Sequence, residues 1–270
     1  MKIFIKPVLA VLLFCVMQVL AGVVFATFGM KGQDAMVTNS DWLALAIIIS
    51  GLLTALVLYR MHMFRRKTID PRLVNWSYAH LGVVGALIGV FAVDLISEKL
   101  NLPDLMQMQF MELANTTLGV LAIAVIGPII EELVFRAGVL GYLVRNGMDS
   151  RLAIAISAIV FGLIHFNPAQ IPAATIIGVL LGILYVKSHS IVLTSIVHIL
   201  NNGLAVIEMR KFGETIADFS LTEVMGGQLT TIFILTSMLL CYVFLKEYVR
   251  KYHRPRGRRR RHHHHHHHRY

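Results

Sequence analysis

Three groups of residues able to do acid–base or hydrolytic chemistry lie inside apolar stretches of this chain. The groups are Glu131-Glu132-x-x-x-Arg136, Phe161-x-x-x-His165 and His198-x-x-x-Asn202. Residues four apart share one face of a helix, so each pair is expected to project from a single face. A charged side chain at the centre of a membrane helix costs roughly 2.5 to 3.5 kcal/mol on insertion scales. These groups therefore have to line a protein interior or a watery cavity.

The residue types fit several chemistries. A carboxylate and two histidines at one depth can act as a general base with an orienting partner, as a hydrolytic metal site or as a proton relay. Glu132 can pair with Arg136, which leaves Glu131 about 100° around the helix and available for another task. Asn202 can donate through its amide, which suits an oxyanion. Taken singly, each group also has a structural explanation, as an ion pair, a helix-to-helix hydrogen bond or, for Phe161, packing.

The depths of the polar groups favour one shared site over separate coincidences. Each group lies 13 or 14 residues from a presumed cytoplasmic helix end: Glu132 from Arg145, His165 from Arg151 and Asn202 from His189. At 1.5 Å per residue this places all three about 20 Å inward. His198 lies about one turn shallower. We therefore expect the three groups to meet in one layer.

Composition indicates that helices must position these groups within a membrane. The chain has 270 residues, of which 56% are hydrophobic and 15% charged, which is typical of an all-α polytopic integral membrane protein. About eight transmembrane helices are predicted, at approximately 7–30, 42–59, 80–96, 115–144, 152–166, 172–187, 190–208 and 228–244. The fifth and sixth are short, because about 15 residues cover ~22 Å of a ~30 Å hydrocarbon core.

Loop charges predict the orientation and the organisation of the chain. The loop after the second helix is basic and the loop after the third is mostly acidic, so the positive-inside rule places both termini in the cytoplasm of a multi-pass protein in the cell membrane. We expect an N-terminal pair of helices with its basic loop (1–72), a core carrying the three groups (73–252) and a tail (253–270). The tail contains seven consecutive histidines and resembles a purification tag.

Charge and cysteine content exclude other classes. The net charge of +10 is concentrated in short loops and at the C-terminus, so it indicates orientation, and we expect membrane lipid but no nucleic acid as a partner. Cys15 and Cys241 both lie in apolar runs. A disulfide framework or a cysteine-based metal site is therefore not expected.

The three groups together resemble a known family. EELVFR at 131–136, FGLIH at 161–165 and HILNN at 198–202 are similar to the three motifs of the CAAX protease and bacteriocin-processing (CPBP, or ABI) intramembrane proteases, in order and spacing, over about residues 75–210. The resemblance implies peptide-bond hydrolysis within the membrane. It implies that Glu131 activates water with His165, that His198 and Asn202 bind the developing oxyanion, and that Glu132 and Arg136 hold the geometry.

The resemblance leaves cofactor and substrate undecided. Relatives are described both as metalloproteases and as metal-independent glutamate proteases. The sequence has no HExxH motif, while Glu131, His165 and His198 could ligate one divalent metal such as zinc. The expected substrate is a protein or peptide, either a prenylated CAAX protein or a membrane-associated precursor such as a bacteriocin.

Two other functions remain as alternatives. A non-catalytic membrane scaffold or bacteriocin self-immunity factor would keep the fold and bind a partner. A proton-coupled transporter would use the carboxylates and histidines as a relay, although no inverted repeat is visible in the sequence.

Overall fold

The computed structural model describes residues 1–28, 39–213, 215 and 220–253, and within them all regular structure is helical. Ten helices are described here: α1 (Ile5–Phe28), α2 (Asn39–Arg60), α3 (Trp76–Leu100), α4 (Gln107–Ala114), α5 (Thr117–Arg145), α6 (Ser150–Leu163), α7 (Ile171–Ser188), α8 (Ile191–Phe212), α9 (Leu221–Met225) and α10 (Gly227–Lys251). Short 3₁₀ turns at Lys2–Phe4, Arg66–Thr68 and Pro71–Leu73 accompany them.

The prediction of an all-α polytopic membrane protein is confirmed. In the part of the chain that is described, seven helices are long and apolar enough to cross a bilayer, and α6 is a shorter apolar helix of 14 residues. These eight correspond one to one with the eight predicted runs. The chain is therefore a multi-pass membrane protein.

Several predicted helix boundaries were wrong, and the most important is the end of the fifth helix, because it determines where His165 lies. The fifth helix was expected to reach residue 166, but α6 ends at Leu163, so His165 lies in the turn that follows. The helix ends there because Phe166 adopts a left-handed backbone, with φ of +49°. Elsewhere the helices run beyond the apolar runs into polar ends, as in α3 and α10, and the loops contain the unpredicted short helices α4 and α9.

The long helix α5 is not a regular α-helix. Two π-helical segments, Leu121–Ile126 and Leu133–Gly141, flank the α-helical turn Gly127–Glu132 that carries both glutamates. Pro128 lies at the start of this turn and has no backbone N–H to donate. The wider π turn before it keeps the backbone hydrogen-bonded, since the N–H of Gly127 donates to the carbonyl of Ala122, five residues back. A side chain at Gly127 would meet that carbonyl, because a Cβ there would lie 2.6 Å from the oxygen.

Helices α3 and α10 pack through small residues. A Cβ built on Gly85 would lie 2.8 Å from Cβ of Phe244 on α10, so the backbones approach closely at this point. Lipid is as apolar as a side chain, so membrane helices associate through such close van der Waals contact rather than through the hydrophobic effect. At the end of the contact, Tyr248 donates a hydrogen bond of 2.9 Å to the carbonyl of Leu184 on α7. This pair of helices forms a rigid support on one side of the molecule.

Helices α1 and α2 close the opposite side. They pack on each other, and α1 also packs on the Leu133–Gly141 segment of α5, where the rings of Phe14 and Phe135 meet edge to face at 5.6 Å. Both cysteines are free thiols, Cys15 in α1 and Cys241 in α10. The predicted tail from residue 254 onward lies outside the described residues, and the predicted division of the chain into three parts stays a prediction.

Candidate active site

A row of charged side chains joins α5 to α8. Glu132 is fully buried, and its Oε1 lies 2.8 Å from Nδ1 of His198. Its Oε2 lies 3.1 Å from Nε of Arg136, one turn further along α5. With a guanidinium on one side, Glu132 is an ionised acceptor, so Nδ1 of His198 carries the hydrogen. The imidazole is thereby held in one orientation, which the sequence alone had not revealed.

The predicted pairing of Glu132 with Arg136 is present and fully buried. Arg136 is 1% exposed. Its Nε is close enough to Oε2 of Glu132 for an ion pair, but the two atoms are not aligned for a hydrogen bond. Among the described residues, its Nη atoms also have no hydrogen-bond acceptor. The guanidinium instead lies over the ring of Phe161, with Cζ 4.4 Å from the ring centre. A desolvated cation on an aromatic face gains attraction from the ring quadrupole, which partly offsets the missing bonds.

Phe161 does more than fill space at the centre of the site. Its ring is 2% exposed and meets the rings of Phe135, His165 and His198 edge to face, at 5.3, 5.0 and 5.9 Å. Together with Arg136 on its face, these contacts connect α5, α6 and α8 through one side chain. Phe161 therefore sets the distance between the two histidines.

Glu131 lies on the other side of His198 from Glu132. Its Oε2 is 3.6 Å from Nε2 of His198, and its side chain is 22% exposed, whereas Glu132 is completely buried. The two neighbouring glutamates thus have different environments, as their angular separation on the helix predicted. One holds the imidazole from within the protein, and the other faces an open cavity.

The cavity has a volume of about 860 Å³ and is lined by the four predicted catalytic residues, Glu131, His165, His198 and Asn202, and by Phe161. The four come from α5, from the turn after α6 and from α8. The expectation that the three sequence groups meet in one place therefore agrees with the geometry. A cavity of this size holds a segment of peptide or a drug-sized molecule.

His165 is oriented by its own main chain. Its Nδ1 lies 2.8 Å from the carbonyl oxygen of Phe161. A carbonyl can only accept, so Nδ1 is the donor and Nε2 of the neutral ring keeps its lone pair. His165 thus offers the cavity an acceptor and not a donor.

Asn202 reaches the cavity from the same helix as His198. Its Nδ2 donates a hydrogen bond of 2.9 Å to the carbonyl of Ile123, within the first π-helical segment of α5. An amide nitrogen carries two hydrogens, so one remains for a ligand. Asn202 therefore has a structural and a potential binding role at once.

The remaining cavity walls differ in chemistry. Helices α1 and α2 supply apolar side chains such as Phe14, Leu43 and Ile47, while α3 and α8 supply the carboxylates Asp94 and Glu208. Asp94 therefore places an acidic side chain of a membrane helix in the cavity wall.

The fit of a resident metal was tested on the donor atoms. The described residues contain no group of three or more His, Cys, Asp or Glu side chains positioned to hold a metal ion. Glu131 and His198 present two neighbouring donors, whereas a catalytic zinc site takes three protein ligands. As arranged, these residues do not fit a metal. Both alternatives drawn from the sequence, no cofactor or one divalent metal, stay predictions.

Comparison with known proteins now supports the resemblance drawn from the motifs. A family model described as type II CAAX prenyl endopeptidase Rce1-like matches residues 113–204, which contain all three motifs. The membrane-embedded CAAX protease MroQ of Staphylococcus aureus (strain USA300) is 32% identical over 90 residues, which is 32% of this chain and 36% of that protein. No solved structure gives a significant match. Over residues 113–204 the chain is therefore similar to the CAAX proteases, and it spans about a third of the length of the curated relative it matches.

Sequence reasoning missed a second polar cluster beside the site. Asn167 and Asp104, far apart in the chain, form a hydrogen bond of 2.8 Å beside two residues that line the cavity, Met106 and Gln170. The partner of Asn167 was not predictable, because no periodicity connects a loop residue to another loop 63 positions away.

Proposed function

We propose that the protein is an intramembrane endopeptidase that hydrolyses a peptide bond with water activated by Glu131. The observation that carries the proposal is the convergence of Glu131, His165, His198 and Asn202 on one cavity, within the region that matches the CAAX protease family. These four groups supply what acyl transfer to water needs: a base, a second water-holding group and oxyanion donors.

In the proposed first step, Glu131 takes a proton from a water molecule that also donates to Nε2 of His165. The water oxygen forms a bond to the substrate carbonyl carbon, and the carbonyl π electrons move to oxygen. In the second step the tetrahedral intermediate collapses, the C–N bond breaks and Glu131 returns the proton to the leaving amine. Protons and electrons balance without another reactant, and Glu131 ends in its starting state.

The developing oxyanion is bound by Nε2–H of His198 and by the second amide hydrogen of Asn202. Because Nδ1 already holds a hydrogen for Glu132, donation through Nε2 requires the imidazolium form. Carboxylate oxygens lie on both sides of that ring, with Oε1 of Glu132 2.8 Å from Nδ1 and Oε2 of Glu131 3.6 Å from Nε2.

The substrate we propose is a membrane-associated protein or peptide, with a prenylated CAAX protein as the leading member of that class. The support is the apolar wall contributed by α1 and α2 beside the polar residues, which suits a substrate that presents both a peptide bond and an apolar group. Relatives named as CAAX peptidases point to the same class.

The test is cleavage of a farnesylated CAAX peptide by purified wild type and Glu131→Ala, alongside an unprenylated membrane-associated peptide. Wild type should cleave and Glu131→Ala should not, while both keep the same melting temperature, because Glu131 is partly exposed and outside the buried ion pair. Equal cleavage by both would overturn the role of Glu131. Cleavage of neither peptide by wild type would favour a non-catalytic scaffold.

A chelator arm tests the metal requirement separately. The proposed steps predict unchanged cleavage after incubation with a chelator. Loss of activity that added zinc restores would contradict them and assign Glu131, His165 and His198 to a metal.

We further propose that both termini face the cytoplasm, as the positive-inside rule indicates for the basic segment 60–72 and the basic end of α10. Single cysteines placed at Lys67 and at Asp104 in a cysteine-free background should react with an impermeant thiol reagent from opposite sides of the membrane. Reaction of both from one side would contradict this orientation.

A further inference from the structure

Asn167 is completely buried although it lies in the turn between α6 and α7. Its Nδ2 donates to Oδ1 of Asp104 at 2.8 Å and to Oε1 of Gln170 at 3.1 Å. Its Oδ1 accepts from the backbone N–H of Leu105 at 3.0 Å. Both amide hydrogens and the amide oxygen are therefore engaged, and two of the three partners belong to the loop between α3 and α4.

The main chain of Asn167 is equally engaged. Its carbonyl accepts from the N–H groups of Gln170 and Ile171 at 2.9 and 3.1 Å, which begins α7. A further hydrogen bond joins the same turn to the loop before α4, since the N–H of Ala169 donates to the carbonyl of Pro103 at 3.1 Å. Asn167 thus connects three elements: the end of α6, the start of α7 and the loop before α4.

His165 depends on this turn for its position. It lies two residues before Asn167 and beyond the end of α6. Its own N–H makes a long hydrogen bond of 3.3 Å to the carbonyl of Gly162, three residues back. Between them, Phe166 has a left-handed backbone and is 76% exposed, so its side chain anchors nothing. Such a backbone persists only where the surroundings hold it. Besides the contacts of the His165 ring with Phe161, the contacts that hold this turn are those of Asn167.

The other partner segment forms part of the cavity wall. The loop that Asn167 binds leads into α4, and Met106, Gln109 and Phe110 from this stretch line the same cavity as His165. The hydrogen bonds between Asn167 and the loop therefore join two borders of one cavity. Movement of either border would change the distance from His165 to a bound substrate.

We propose that Asn167, acting with Asp104, is a positioning residue that fixes His165 relative to the α4 wall of the cavity. The inference rests on the proposed function and goes beyond the three motifs, since neither residue belongs to them. Asn167 touches no substrate in this scheme. Its effect on the reaction is exerted through His165.

The first test is the steady-state kinetics of Asn167→Ala on the peptide that wild type cleaves. Misplacing a reacting group by about 1 Å can cost on the order of 10²-fold in rate, so kcat should fall by about that factor while KM changes little. Asn146→Ala is the matched control, because Asn146 is an exposed turn residue whose Nδ2 binds only a carbonyl of its own helix, that of Tyr142. A rise in KM with unchanged kcat would overturn the positioning role.

The second test exchanges the two side chains. Asn167→Asp alone places two carboxylates together and should be at least as impaired as the alanine variant. Adding Asp104→Asn restores a donor opposite the new carboxylate. Gln170 can then turn its amide to donate as well, and the N–H groups of Leu105 and Met106 keep acceptors. The exchanged pair should recover kcat to within about tenfold of wild type, and no recovery would contradict the pairing.

The third test does not depend on activity. Hydrogen–deuterium exchange of Asp104→Ala should become faster at residues 163–171, although the substitution is in the other segment, and the exchanged pair should return it to the wild-type rate. Unchanged exchange at 163–171 would overturn the coupling whether or not the protein cleaves peptides. Absence of cleavage by wild type with faster exchange would instead reject the protease and retain the coupling.

Discussion

The contact between α5 and α8 and the contact between α3 and α10 hold the same membrane protein together by opposite means. The first depends on charges, with His198, Glu132 and Arg136 in one buried row. The second depends on the absence of side chains, with Gly85 allowing Phe244 to approach. The charged contact is directional and orients reactive groups. The glycine contact orients no reactive group and is insensitive to protonation, and none of the four proposed catalytic residues lies on α3 or α10.

The comparison predicts that Glu132→Ala has the largest effect on stability. Removing one partner of a buried ion pair leaves an uncompensated charge and typically costs about 3–5 kcal/mol. Thermal unfolding in detergent should show a correspondingly large loss for Glu132→Ala and little change for Glu131→Ala, the adjacent, partly exposed control. A double variant, Glu132→Leu with Arg136→Met, should be more stable than Glu132→Ala. If Glu132→Ala and Glu131→Ala were equally stable, the buried charged row would not hold α5 to α8 as described.

Asn202→Ala tests whether the charged contact serves catalysis as well as structure. Loss of one oxyanion donor costs on the order of 10²–10³-fold in kcat, and we expect a fall in that range. Asn201→Ala is the matched control, since Asn201 lies beside it and makes only a long contact of 3.3 Å with the Asn202 amide oxygen. It should retain most activity. If the two variants are equally active, Asn202 serves only to hold Ile123.

Gly85→Ala tests the glycine contact. The added methyl would lie 2.8 Å from Cβ of Phe244, which cannot turn away, and overpacking of this kind costs about 1–3 kcal/mol. Melting temperature should fall, while the folded fraction should keep its kcat. Gly22→Ala, where nothing lies within 4 Å of the new Cβ, should melt like wild type. A large loss of kcat in Gly85→Ala would show that the support helices also tune the site.

Tyr248→Phe should have the smallest effect. It removes one hydrogen bond to the carbonyl of Leu184, at about 0.5–1.5 kcal/mol, and that carbonyl keeps a second donor in Ser188 at 2.9 Å. A melting shift near the lower end of that range, with unchanged activity, is expected. A shift as large as that of Glu132→Ala would contradict the ranking of the two contacts.

The parts of this protein that could be predicted from the sequence are those controlled by local pattern. Apolar runs located eight helices, and four-residue spacing identified the pair of Glu132 with Arg136. Counting residues from helix ends brought Glu132, His165 and Asn202 to one depth, with His198 about one turn shallower. Each of these inferences needs only helix geometry and the cost of charge in lipid.

The unpredicted parts are contacts between distant segments and departures from regular helices. The bond from Glu132 to His198 depends on how α5 and α8 rotate against each other, and that rotation is set by packing. The bond from Asn167 to Asp104 joins two loops. The end of α6 was placed too late because Ile164 and Phe166 continue the apolar run, whereas backbone geometry stops the helix.

The π-helical segments of α5 have a consequence for sequence length. A π turn accommodates one more residue than an α turn over the same rise, so the stretch Leu121–Ile126 behaves as an insertion absorbed by the helix. A relative with one residue fewer there could close the helix with α turns and still present its two glutamates at the same level. Gaps in an alignment should therefore be tolerated between 121 and 126, but not between Glu131 and Arg136, where a deletion would swing the ion pair apart.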